Sequence, residues 1–149
     1  MIAAAEPSAL PALARLMADS ALLSRYGTTY EDSLAALSEA AAGGDVILVA
    51  GAGGVDGFAW LSFAPRILNG AAYLRLLLVT SPGNGLGARL LAAAETVSRD
   101  GGAKHLYLLV TTDNLAARRF YERHGYRHVG NLPGLVRPEL DEALYHKRA

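Results

Sequence analysis

Apolar residues recur along this chain in two rhythms, and each change of rhythm marks an element. Residues 2–5, IAAA, read as a short first strand. Pro7 and Ser8 open a helix whose apolar positions, Leu10, Leu13, Ala14 and Met17, fall three and four residues apart. The stretch LLSRYGTTY, broken by Gly27, reads as a loop, and a second helix is predicted from about Tyr30 to Ala42, ended by Gly43 and Gly44. Residues 46–50 and 55–63 flank GAGG, a hairpin signal, and a strand over 72–79 follows the turn at Asn69-Gly70. Leu86, Leu90, Ala93, Ala94 and Val97 then share one stripe of a helix closed by Asp100-Gly101-Gly102. The run 105–110 is apolar on both faces, as a central strand should be. Asp113 is placed to cap a helix ending at Gly125. Strands over 126–130 and 139–146, joined by NLPGLVRP, complete the chain. The order β-α-α-β-β-β-α-β-α-β-β predicts a single α/β domain over residues 1–149, a mixed sheet with helices on both faces.

Composition narrows the function without naming it. Hydrophobic residues make up 52% and charged residues 19%, the balance of an ordinary globular protein. The formal net charge is zero, so no overall field draws the chain to nucleic acid or to a membrane. The two lysines, Lys104 and Lys147, among 14 basic residues read as compositional bias, not as a basic patch. Without cysteine there is no disulfide, thiolate ligand or cysteine nucleophile. His124 and His128 are four apart, but Gly125 interrupts the helix between them, so no metal site is expected. The start, MIAAAEPSAL, lacks the basic opening of a signal peptide, and a cytoplasmic protein is expected.

The chemistry gathers between Tyr73 and Tyr126. There an apolar strand, AYLRLLLV, runs into SPGNGLG and then into a helix. Free N–H groups at a helix N-terminus attract anions, and glycines let a ligand approach the backbone. Gly83, Gly85 and Ala88 also spell G-x-G-x-x-A, the dinucleotide pattern, but the first acid past the next strand, Asp113, comes later than the ~20 residues expected of a ribose-binding carboxylate. The next helix adds Asn114, Ala117, Phe120, Tyr121, Gly125 and Tyr126. In this order they resemble the N-x-x-A-x-x-F-Y-x-x-x-G-[FY] ending of the GNAT superfamily of N-acetyltransferases, whose fold is similar over the whole chain.

The resemblance implies acetyl-CoA as co-substrate, a primary amine as acceptor and no metal. Homodimers are common in that family, and neither nucleic acid nor membrane is implied as a partner. Coenzyme A would run along Leu77, Leu78 and Val79, with its pyrophosphate on Gly83, Asn84, Gly85, Leu86, Gly87 and Ala88 and its arm near Asn114. Tyr121 matches the tyrosine that protonates the departing thiolate, and an ordinary phenol, with a pKa of ~10, holds that proton at neutral pH. Tyr26 and Tyr30 would wall the acceptor site. Two departures stand out. Pro82 occupies the place of an Arg or Gln in the [RQ]-x-x-G-x-[GA] loop, and the loop is shorter than usual. Tyr73 occupies the place of the glutamate base many members carry, making it a candidate catalytic residue. Tyr73 and Arg75 should face the acceptor together, and Arg75 would favour an acidic amine. Glu139, Asp141 and Glu142 read as exposed edge residues, one of which could serve as a distant base. Arg118, Arg119, Arg123 and Arg127 read as a solvated face. The departures also fit a second expectation, a module that binds acyl-CoA or a protein without turnover.

Overall fold

The computed structural model describes all residues, 1–149. Seven strands form one sheet: β1 (Ile2–Ala4), β2 (Val46–Ala50), β3 (Gly57–Ala64), β4 (Ala71–Val79), β5 (His105–Thr111), β6 (Arg127–Leu132) and β7 (Glu142–Arg148). Their order is β1-β2-β3-β4-β5-β7-β6, and only β4 and β5 run parallel. The helices are α1 (Leu10–Ala18), α2 (Ala21–Ser24), α3 (Tyr30–Ala42), α4 (Leu86–Asp100) and α5 (Leu115–Arg123).

Two apolar layers hold these helices to the sheet. On one face Leu13 and Leu37, from α1 and α3, bury against Ile47, Phe58 and Trp60. On the other, Leu90, Leu91 and Ala94 of α4 and Tyr121 of α5 bury against Leu74, Leu108 and Tyr145. The chain leaves β4 straight into the glycine turn, and the crossover through α4 then lays β5 parallel beside β4.

Three expectations are corrected. The stretch after Ser20 is not all loop: α2 makes one turn there, with the Leu23 N–H on Ser20 Oγ. Asp113 does not cap α5; Asn114 does, its Oδ1 accepting from Ala117 N–H at 3.2 Å. The last strand begins at Glu142, not Glu139, because the chain turns at Arg137–Leu140 behind Pro138, and Asp141 Oδ1 accepts from the Gly134 N–H.

Gly57 opens β3 and pairs with Val79, the last residue of β4. A Cβ there would stand 2.8 Å from the Leu78 carbonyl oxygen and 3.0 Å from Val79 Cγ1. Gly57→Ala is therefore expected to lower stability by about 1–3 kcal/mol, as overpacking does. Urea unfolding checks this, and an unchanged midpoint would mean the two strands yield freely.

Candidate active site

β4 and β5 pair only over Ala71–Leu74 and His105–Leu108. Beyond that point each keeps its outer partner, β4 with β3 as far as Val79 and β5 with β7 as far as Thr111, while the two diverge from one another. A bulge starts the divergence. Trp60 pairs with Leu76 and Leu61 with Leu74, so Arg75 is the extra residue on β4. Thr80 N–H bonds Asp56 O across to β3. By alternation the backbone groups of Leu77 and Val79 face the opened side, toward β5.

The opening holds a cavity of about 260 Å³. Tyr73, Arg75, Leu77 and Leu78 line it from β4, Thr111 from β5, Asn114 and Tyr121 from α5, and Glu142 from β7. Tyr26 and Val136 close it from the loops before α3 and before β7. Those two loops touch: a Cβ on Gly27 would stand 2.8 Å from Arg137 Nη2, and the Gly27 φ of 72° is one that a side chain resists.

Tyr121 packs its ring edge-on between Phe120 and Tyr126, at 5.2 and 5.7 Å between centroids. Burial pushes its phenol well above the usual range, so it is neutral at any ordinary pH. Burial also raises Tyr73, with the Arg75 charge acting the other way and the Glu142 charge adding to the rise. Tyr73 is thus a phenol that gives a hydrogen bond more readily than it takes a proton. Asn114 commits Oδ1 to the α5 cap and keeps its amide N–H₂ for the cavity it lines.

Tyr26 and Arg75 reach the cavity with partners of their own. The Tyr26 hydroxyl donates to Glu142 Oε2 at 2.8 Å and also meets Thr111 Oγ1. Beside it Arg25 makes a two-pronged pair with Asp113, both contacts 3.0 Å, which holds Asp113 below the usual carboxylate range. Arg75 stacks over Trp60 at 4.3 Å and faces Asp45 at 3.8 Å, so its charge already has a match from the turn before β2. Tyr30 is a correction. At the first position of α3 it turns toward α1, where Arg15 lies 4.2 Å over its ring, and it does not line the cavity.

The glycine turn lies beyond the cavity. From Leu78 and Val79 a groove bounded by Arg15, Leu16, Asp19 and Leu22 continues along the end of β4. Gly83 and Gly85 have φ of 90° and 79°, left-handed values that a side chain resists. Asn84 Oδ1 accepts from Leu86 N–H at 3.1 Å. The N–H groups of Gly87 and Ala88, in the first turn of α4, take no acceptor within the protein. Arg89 follows on α4, beside Asn84 and Ser81 in a second groove, in a loop where Pro82 supplies no charge.

The placement the sequence reading missed is that of Glu142. Read as an edge residue, it is 5% exposed and lines the cavity. The signal was available: once the strand starts at Glu142, alternation points every second residue, Leu144 and His146 included, to the same side. The arginine face also proves less free than predicted, because Arg118 donates to Tyr145 Oη at 3.0 Å and to Thr112 O at 2.9 Å.

A parallel pair that splays over a cavity, with free N–H groups at the start of the following helix, gives this α/β protein an opening for a ligand and an anion-attracting turn at the same end of the sheet. The chain matches the model of the acetyltransferase (GNAT) family over residues 24–126, and it belongs to that family. It is an acetyl-CoA-dependent acetyltransferase. Solved structures agree on the fold. A ribosomal-protein-alanine N-acetyltransferase from Brucella melitensis is similar with a TM-score of 0.81 and 21% identity, over 100% of this chain and 99% of that one. A GNAT-family acetyltransferase from Streptococcus pneumoniae gives 0.74 and 25%, over 100% and 99%. An aminoglycoside 6′-N-acetyltransferase complexed with coenzyme A gives 0.78 and 19%, over 99% and 96%. Comparison with curated proteins gave no match. No helix is long and apolar enough to cross a membrane, and no three His, Cys, Asp or Glu side chains gather as a metal group would.

Proposed function

We propose that the chain transfers the acetyl group of acetyl-CoA directly to a primary amine, with Tyr121 as general acid. The observation that carries this reading is the Tyr121 phenol, kept neutral by burial and lining the cavity at the point where β4 and β5 part. The pantetheine arm runs along Leu77 to Val79, bonded by the backbone groups that β5 leaves unpaired. The pyrophosphate rests on the turn from Gly83 to Ala88, against the N–H groups of Gly87 and Ala88, where the helix dipole favours an anion. This places the thioester near the bulge, between Tyr73 and Tyr121. The amine enters past Tyr26 and Val136.

The amine nitrogen attacks the thioester carbonyl, and the developing oxyanion is met by a β4 backbone N–H. The C–S bond breaks as Tyr121 passes its proton to sulfur. Much of the acceleration comes from holding both reactants in one narrow cleft. The coenzyme A complex of the similar aminoglycoside enzyme supports the cofactor's place on this fold.

Thermal unfolding tests the binding half of this reading. At 100 times its Kd, acetyl-CoA should add about 2.7 kcal/mol of stability and raise Tm accordingly. No shift at millimolar acetyl-CoA, or a shift with NAD instead, would contradict it.

A further inference from the structure

We propose that Glu142 is the proton acceptor of this enzyme and the anion that receives the incoming amine as its ammonium. The inference rests on the acetyltransferase reading above and names a group that β4 does not supply, since no Asp or Glu occurs between Gly57 and Glu95.

Glu142 is the one buried carboxylate of the chain, 5% exposed, and it lines the same cavity as Tyr73 and Tyr121. No basic side chain pairs with it. A buried carboxylate without a cation is costly to keep charged, and a cation brought in by a ligand would offset that cost. What it has instead is a scaffold. The Tyr26 hydroxyl donates to Oε2 at 2.8 Å and also meets Thr111, and the Arg25–Asp113 pair fixes the residue next to Tyr26 against the end of β5. One oxygen is thereby oriented, and Oε1 has no protein donor. The charged or titratable groups around it are Tyr26 and Arg25 from the loop before α3, Tyr73 and Arg75 from β4, and Tyr121 from α5. Arg75 is already matched by Asp45, which leaves Glu142 as the unmatched charge of the acceptor end. This opposes the expectation that Arg75 selects an acidic amine; the cleft suits a cationic one.

The steps balance. R–NH₃⁺ gives one proton to the Glu142 carboxylate and becomes R–NH₂. Its nitrogen forms the C–N bond to the thioester carbon, the C–S bond breaks, and sulfur takes the Tyr121 proton. The proton still on the new amide nitrogen returns to the Tyr121 phenolate. Glu142 then releases its proton to water, so the sum is amide, free thiol and one proton.

The test is Glu142→Gln, which keeps the shape and the Tyr26 hydrogen bond but not the charge, with Glu142→Asp as the variant that keeps the charge. Thiol release from acetyl-CoA is followed with butylamine, tyramine, spermidine and short peptides beginning in Ala or Ser. For the best acceptor, Glu142→Gln should lower kcat/KM by about 10²-fold at neutral pH. The loss should shrink as pH rises toward the pKa of the amine, acetyl-CoA affinity should be unchanged, and Glu142→Asp should recover part of the rate. In parallel, butylammonium and uncharged butanol are titrated into the protein with and without coenzyme A. Wild type should bind butylammonium about fivefold more tightly than Glu142→Gln, a difference of about 1 kcal/mol, with butanol unaffected. Equal pH profiles for wild type and Glu142→Gln would overturn the proposal. So would equal butylammonium affinities, which decide the matter even if no amine in the panel reacts. Failure of acetyl-CoA to bind the wild type would instead count against the acetyltransferase mechanism, and the butylammonium titration would still judge Glu142.

Discussion

Tyr121→Phe is expected to lower kcat by about 10²–10⁴-fold, the range of general acid catalysis, while acetyl-CoA binds almost as before. The substitution separates two roles. The ring packs against Phe120 and Tyr126 and belongs to the core, and a phenylalanine keeps that packing. The hydroxyl makes no protein hydrogen bond, and the only fully buried side-chain polar atom without a partner is Ser33 Oγ. Removing the Tyr121 hydroxyl therefore leaves no partner orphaned and costs the fold little. Because burial raises its pKa, the phenol stays protonated through the neutral range, and no loss of rate from its ionisation is expected below pH 10. Single-turnover kinetics with calorimetric acetyl-CoA titration checks this. Wild-type turnover in the phenylalanine variant would leave Tyr121 as a packing residue.

The second large effect is predicted at the glycine turn. Gly87→Val should weaken acetyl-CoA binding by about 10- to 100-fold, the cost of losing one hydrogen bond to a charged group, about 1.5–3 kcal/mol. A Cβ on Gly87 would stand 3.6 Å from the Phe120 ring, an ordinary contact, so the helix can carry the first added carbon. The two branches beyond it crowd the space in front of the free N–H groups of Gly87 and Ala88. Helix propensity itself favours valine over glycine, so the fold should persist. Gly85 is a poorer place for the test, because its φ of 79° would strain any side chain and mix folding with binding. A calorimetric Kd for Gly87→Val equal to that of wild type would move the pyrophosphate elsewhere.

Much of this arrangement could be read in the sequence because local patterns cause it. The glycine turn, the apolar strand before it and the Asn114–Tyr126 block carry the family, and the family model covers 24–126, ending at Tyr126. Beyond that, long-range pairing decides. Asp113 has the right side chain for a cap, but Arg25, 88 residues away, takes it, and Asn114 caps instead. Tyr30 belongs to the predicted helix, yet Arg15 draws its ring toward α1. Arg75 shares the β4 face with Tyr73 as alternation predicts, but the bulge and Asp45 are set by β3 and the start of β2. Glu142 was hidden because its burial comes from residues far along the chain, Tyr26 and Thr111 among them, which close over the start of β7.

The central claim is that this cleft moves an acetyl group onto an amine. It is tested most directly by incubating the purified chain with acetyl-CoA and the amine panel, measuring free thiol, and weighing the amine by mass spectrometry. The account predicts thiol release that depends on the amine, with an equal amount of amine gaining one acetyl group. Acetyl-CoA that binds yet releases no thiol with any primary amine would contradict it, and would mark the chain as a GNAT-fold module that holds acyl-CoA without turning it over.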